Sequence, residues 1–174
     1  MAAHNHVFLL LGSDIEPRLQ NLRQAINKLK LNNCDVKLTS SVYESEAWGF
    51  TSDQKFLNQL VIAKTDLEPI ELLNRILKIE KDLGRTRVEN GVYTSRNIDI
   101  DILYFNDQVI NKSELVIPHP RLYKRRFALE PLVEVAPDYE HPVLKKTNKE
   151  LLEGVEDATE VNKYIEEEIC GDEI

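Results

Sequence analysis

The chain has 174 residues, 42% of them hydrophobic, which fits one globular domain over 1–174, with a core over about 5–143 and an acidic tail over about 155–174. Its 22 Lys and Arg stand against 30 Asp and Glu, a net charge of -8 that excludes general binding to a nucleic-acid backbone, although a local basic patch can still hold a small anion. No apolar run reaches the ~20 residues that cross a bilayer, and Cys34 and Cys170 lack metal-type spacing, so a cytoplasmic monomer with no membrane partner and no disulfide framework is expected.

His6 to Leu11 reads as a buried strand ending at Gly12. Asp14 is placed to cap a helix from Glu16, with Pro17 in its first turn, and Leu19, Leu22, Ala25, Ile26 and Leu29 then recur at helical spacing. Val36 to Trp48 is β-rich, with Val36, Leu38, Ser40 and Val42 alternating. Gly49 to Asp53 is a loop, and Phe56 to Asp66 is the return strand. A second helix follows Asp66, with Pro69 early, Ile70, Leu73, Ile76, Leu77 and Leu83 inward, and Gly84 as its C-cap. Arg85 to Ser95 is polar and aperiodic, a loop long enough to suspect function. A strand rich in isoleucine and aspartate comes next, then a turn and short strand over Asn106 to Asn111. Pro118 and Pro120 bracket His119, Phe127 to Val135 reads as helical, and the last ~25 residues are acidic and weakly patterned. Strand, helix, strand, strand, helix, strand is the split βαβ order of ferredoxin-like α+β folds. Such a fold packs both helices on one face of an antiparallel sheet and leaves the other face free for a site.

The chemistry concentrates in the isoleucine–aspartate strand. Residues i and i+2 of a strand point the same way, so Asp99 and Asp101 project together, opposite Ile98, Ile100 and Ile102. Paired carboxylates repel unless a cation compensates, and oxygen-only ligands suit a hard ion such as Mg²⁺. A bare Asp-x-Asp is equally an acidic strand face. Around it, however, an acidic chain clusters Arg85, Arg87 and Arg96 on one side and His119, Arg121, Lys124, Arg125 and Arg126 on the other. Guanidinium forks match phosphate oxygens, which points to a metal–polyphosphate site; pairing of these arginines with the many glutamates is the competing reading. The chain contains no P-loop, no G-x-G-x-x-G and no nucleophile elbow.

Seven segments in order carry a resemblance: LGSD from Leu11, VYESEAWG from Val42, FLNQLV from Phe56, IEKDLGRTR from Ile79, SRNIDIDILYF from Ser95, VIPHPRL from Val116 and RRFALEPLVEVAP from Arg125. Together they resemble the 6-hydroxymethyl-7,8-dihydropterin pyrophosphokinase family, whose fold is also ferredoxin-like. The resemblance implies transfer of pyrophosphate from ATP to the hydroxymethyl group of the dihydropterin, with release of AMP, in folate biosynthesis. It implies two Mg²⁺ ions on Asp99 and Asp101. It places Arg85, Arg87, Arg96, His119, Lys124 and Arg125 on ATP, with Arg85 and Arg96 joining the aspartates as catalytic residues. It sets the pterin between Phe56 and Phe127, with Asn58 reading its edge and groups near Ser45 and Trp48 completing the pocket. Glu80 matches an acidic position of the second helix. Two departures stand out: YTSR replaces an aromatic-Gly-Pro-Arg run before the aspartate strand, and Leu77 replaces an amide side chain that often contacts ATP. Two other classes are weighed against this one. A non-catalytic ferredoxin-like module would bind nucleotide without making AMP. A different Asp-x-Asp enzyme, such as a nucleotidyl or glycosyl transferase, would lack the set Phe56, Asn58 and Phe127.

Overall fold

The first strand requires a three-layered fold. It carries Val7, Phe8, Leu9, Leu10 and Leu11 without a polar break, and such a run has to be covered on both faces. The computed structural model describes residues 4–84 and 97–166. Its elements are β1 (Asn5–Ser13), α1 (Arg18–Leu31), β2 (Asp35–Thr39), β3 (Tyr43–Ser45), β4 (Phe56–Thr65), α2 (Pro69–Asp82), β5 (Asp99–Phe105), β6 (Ile110–Asn111), β7 (Val116–Ile117), α3 (Arg126–Val135), α4 (Asn148–Glu153) and β8 (Val161–Lys163). The main sheet runs β5-β1-β4-β3-β8, with β2 also paired to β4, and every neighbouring pair is antiparallel. The short β6–β7 hairpin stands apart. Among the described residues no helix is long and apolar enough to cross a membrane.

On the first face, Val7, Leu9, Leu11, Ile98, Ile100 and Ile102 pack against Leu22, Ala25 and Leu29 of α1 and Leu72, Ile76 and Ile79 of α2. Ile76 lies at the centre of the α2 stripe as expected, while Ile70, Leu73 and Leu83 flank it half-buried and Leu72 and Ile79 complete it. Gly84 follows α2 in the left-handed region, φ +91°, as expected of a residue just past a helix end. The second face is not free. Phe8, Leu10, Leu60 and Leu103 lie under Leu122, Ala128, Leu129 and Leu132 around α3 and Leu151 of α4. Only the end of that face near Gly12 stays open, because there the sheet presents Asn58, Asp99 and Asp101 rather than apolar side chains.

Two local expectations change. Asp14 does not cap α1; the helix begins at Arg18 with Pro17 as N-cap and no side-chain cap bond, and Asp14 is buried at the end of β1. Asn21 instead ties the helix back, donating to Ser13 Oγ at 3.1 Å and to the Ile15 carbonyl at 2.9 Å. The stretch Val36 to Trp48 divides into β2 and β3 at Ser40. There Leu60 N–H donates to the Ser40 side chain at 2.9 Å, while the Ser40 carbonyl accepts from Gln59 Nε2 at 2.9 Å, so a hydroxyl takes the carbonyl's place in the ladder. A register shift between Val36 and Leu38 leaves Leu38 exposed despite its place in the alternating stripe. Beyond residue 143, α4 packs beside α3 and β8 adds the outermost strand beside β3.

Candidate active site

Pleat and register build the open end of the second face. Phe56 and Asn58 stand two apart on β4, and Asp99 and Asp101 stand two apart on β5, so each pair shares a face. Gly12 of β1 is the cross-strand partner of both Asn58 and Asp99, and Leu10 is the partner of Asp101. Asn58 and Asp99 thus lie on either side of a position with no side chain. A Cβ at Gly12 would come within 3.3 Å of Asn58 Oδ1 and 3.8 Å of Phe56 Cδ1. Gly12 is therefore a floor, a role that its place at the end of a sequence pattern did not disclose. We expect Gly12→Ala to raise the KM for a planar ligand about tenfold, the low end of what one methyl is worth in a packed pocket. The melting temperature should stay within a few degrees; steady-state kinetics beside thermal melts measure both.

The first cleft is lined by Leu10, Gly12, Ser45, Glu46, Trp48, Phe50, Phe56, Asn58, Asp99, Asp101, Arg125 and Phe127. Every residue expected around the pterin is brought together here. Asn58 is buried and its amide nitrogen donates to Ser45 Oγ at 2.8 Å. That bond fixes the amide, leaving Oδ1 over the Gly12 floor as an acceptor. Phe50 meets Phe56 edge-on at 6.0 Å and props it from the loop after β3. Leu10, Glu46 and Phe50 were not singled out by sequence; register and loop path bring them in.

Arg125 joins this cleft to the carboxylates. Its guanidinium lies 4.6 Å from the Trp48 ring centre and 5.6 Å from that of Phe127, between two aromatic faces. Its NH1 is 3.7 Å from Asp101 Oδ2. The side chain is buried, and among the described residues its Nε has no hydrogen-bond partner. A buried guanidinium edge of this kind is a ready donor to an anion. His119 Nε2 stands 3.8 Å from the same Asp101 oxygen. Burial, and then the Arg125 charge, push the imidazole pKa down to about 4 against the opposing pull of Asp99. Because Arg121 N–H donates to Nδ1 at 3.2 Å, the neutral ring carries its proton on Nε2 and points an N–H at the site.

A second cleft lies on the outer edge of β5, lined by Leu73, Leu77, Glu80, Ser113, Leu115 and His119 together with Asp99 and Asp101. Leu77, the departure on the second helix, gives it an apolar wall. Glu80 is buried, and its carboxylate accepts the Ile100 N–H at 2.9 Å. It thereby holds the backbone between the two aspartates. Lys124 is exposed, its ammonium 5.5 Å from the Tyr123 ring centre, and lines neither cleft. Arg126 bonds Glu130 at 3.1 Å and the Asp157 carbonyl at 2.9 Å, the intramolecular pairing weighed for it above. Arg85, Arg87 and Arg96 lie outside the described residues, as does Cys170. The described ends of that segment meet, for a Cβ on Gly84 would come within 2.8 Å of Asn97 Nδ2.

The donor set suits a hard cation. Asp99 and Asp101 are half-buried and both open to the two clefts. Among the described residues no third His, Cys, Asp or Glu joins a metal-binding group. An ion held by the pair would keep positions for water and phosphate oxygens, which is how Mg²⁺ usually binds.

Comparison with known proteins gives a consistent picture. Residues 8–137 match the family model described as 7,8-dihydro-6-hydroxymethylpterin-pyrophosphokinase. A relative from Aquifex aeolicus named 2-amino-4-hydroxy-6-hydroxymethyldihydropteridine pyrophosphokinase is 44% identical over 144 residues, covering 83% of this chain and 88% of its own. A Bacillus subtilis protein of the same name is 41% identical over 138 residues, covering 79% and 81%. A solved wild-type Plasmodium falciparum HPPK-DHPS chain superposes with TM-score 0.68 at 18% identity. That match covers 87% of this chain and 44% of the larger one, so it speaks for the fold alone.

Proposed function

The chain belongs to the 7,8-dihydro-6-hydroxymethylpterin-pyrophosphokinase family, and we propose that its first cleft holds the dihydropterin, its second the ATP, and the shared wall of Asp99 and Asp101 the reacting groups. The enzyme transfers pyrophosphate from ATP to 6-hydroxymethyl-7,8-dihydropterin, giving AMP and the pterin diphosphate, in folate biosynthesis. The hydroxyl oxygen attacks the β-phosphorus, the bond from that phosphorus to the α-phosphate oxygen breaks, AMP leaves and the hydroxyl proton is released. The strand order β5-β1-β4-β2 supports the finer reading of the sheet as a ferredoxin-like core with additions.

The observation that carries this reading is that the two clefts share one acidic wall. On the pterin side, Phe127 and Phe56 offer ring faces, Gly12 leaves space, and Asn58 Oδ1 accepts from the heterocycle's N–H edge. On the nucleotide side, Leu73, Leu77 and Leu115 receive the base while the His119 N–H and the Arg125 guanidinium meet phosphate oxygens. Asp99 and Asp101 would hold two Mg²⁺ ions, whose chemistry is to neutralise the phosphate oxygens and to favour loss of the hydroxyl proton. Arg125 then performs two tasks. It neutralises charge that shifts to the leaving AMP, and its packing on Phe127 and Trp48 couples the stacked pterin to the phosphates. Glu80 keeps the strand between the aspartates from moving. By the family resemblance, Arg85 and Arg96 would also be directed at the ATP phosphates. The test is incubation with ATP, Mg²⁺ and the hydroxymethyl dihydropterin: AMP and the pterin diphosphate should form one for one. Nucleotide binding without pterin-dependent AMP would instead support a non-catalytic binding module.

A further inference from the structure

The entry to α3 carries two residues of the site, Arg125 at the N-cap and Phe127 in the first turn, yet α3 supplies no cap of its own. Arg125 makes no side-chain cap bond, and the first turn contains no acid. The exposed first N–H groups of a helix need acceptors. For Arg126 the acceptor comes from 31 residues later: Asp157 Oδ2 takes its N–H at 3.0 Å. Arg126 Nε also donates to the Asp157 carbonyl at 2.9 Å, so backbone and side chain of one residue grip the same partner. The other Asp157 oxygen accepts from Thr159 N–H at 3.0 Å and from its hydroxyl.

The same segment then reaches the strand that carries Ser45. Val161–Lys163 form β8 and pair with β3, Val161 opposite Ser45 and Lys163 opposite Tyr43. Tyr164 N–H donates to the Val42 carbonyl at 2.8 Å, and Glu166 meets Arg23 of α1 at 2.9 Å. Val155 packs on the second core layer and Tyr164 on the first. Residues 155–166 thus span from the helix that presents Phe127 to the strand that presents Ser45, and Ser45 in turn orients Asn58.

We propose that this C-terminal segment is a clamp that sets the spacing between the two walls of the pterin pocket, with Asp157 as its positioning residue; this rests on the assignment of that cleft to the pterin. The carboxylate fits the role. Burial acts to raise its pKa, but the bonds from Thr159 and Arg126 outweigh it and leave the pKa below the usual range, so Asp157 is an anion beside the positive end of a helix. Arg125 keeps anchors of its own at Trp48 and Asp101, and the lining of the second cleft lies outside the segment's reach. The clamp therefore acts on pterin binding and spares the nucleotide.

Steady-state kinetics of the full chain with both substrates test it. Asp157→Ala should raise the KM for the dihydropterin about tenfold, the size of one capping bond with its charge, and leave the KM for ATP within about twofold. Asp157→Asn keeps an acceptor for Arg126 N–H and should recover most of the loss. Amide exchange at Arg126 and at Tyr43–Ser45 should speed up in the alanine variant. An unchanged pterin KM in the folded alanine variant would overturn the clamp, as would equal rises in both KM values in step with a falling melting temperature. Should the alanine variant fail to fold, the double substitution Asp157→Asn with Thr159→Val removes both the charge and the hydroxyl bond that holds the Asp157 side chain, and a folded double variant with unchanged exchange at Arg126 and an unchanged pterin KM would overturn the clamp. A wild-type chain that makes no AMP would sink the functional assignment instead, so the two failures are distinct.

Discussion

Replacing Asp99 or Asp101 by alanine should lower kcat for AMP release by about 10³-fold or more while the protein stays folded. The effect is large because the pair is the only acidic wall common to both clefts among the described residues, and phosphoryl transfer is accelerated mainly by stabilising the charge that develops on the phosphate oxygens. The fold should survive. Asp101 is 28% exposed on the face opposite the isoleucine stripe, and its approaches to Arg125 and His119, at 3.7 and 3.8 Å, are too long to be structural hydrogen bonds. Asparagine at either position keeps oxygen donors but halves the charge and should also be strongly impaired. Near-wild-type kcat in both alanine variants, at saturating Mg²⁺, would remove the metal argument.

Phe127→Ala should weaken dihydropterin binding by about 30-fold, or about 2 kcal/mol, the combined worth of lost ring burial and stacking. ATP binding should weaken far less. Some loss on the nucleotide side is expected, because Arg125 rests against the Phe127 ring and then keeps only Trp48 as an aromatic face. Phe127→Leu distinguishes burial from stacking: it restores apolar volume without a ring face, so only the stacking part should remain lost. Calorimetric titration with pterin and with a non-hydrolysable nucleotide reads both affinities. Equal losses for the two ligands would argue that Phe127 serves packing rather than stacking.

What the sequence determined follows from covalent geometry and local pattern. The alternation in Ile98 to Ile102 put the isoleucines toward α1 and α2 and the aspartates on the opposite face, because the two-residue period of a strand needs no tertiary information. The same rule aligned Phe56 with Asn58. The ordered run of seven segments identified the family, and the residues that the resemblance implies for the pterin, Ser45, Trp48, Phe56, Asn58 and Phe127, line one cleft. What only the tertiary structure decided depends on register and on partners distant in the chain. The element order led to the expectation of one open sheet face, and only the fold shows α3 and α4 covering most of it over Phe8, Leu10, Leu60 and Leu103. Gly12 became the floor through its pairing with Asn58 and Asp99, 46 and 87 positions away. The alternation of Val155, Asp157, Thr159 and Val161 is too polar to announce a strand. It becomes an extended clamp only where an uncapped helix and an unpaired edge lie in reach, since an acceptor gains from a donor only once folding has brought the two together.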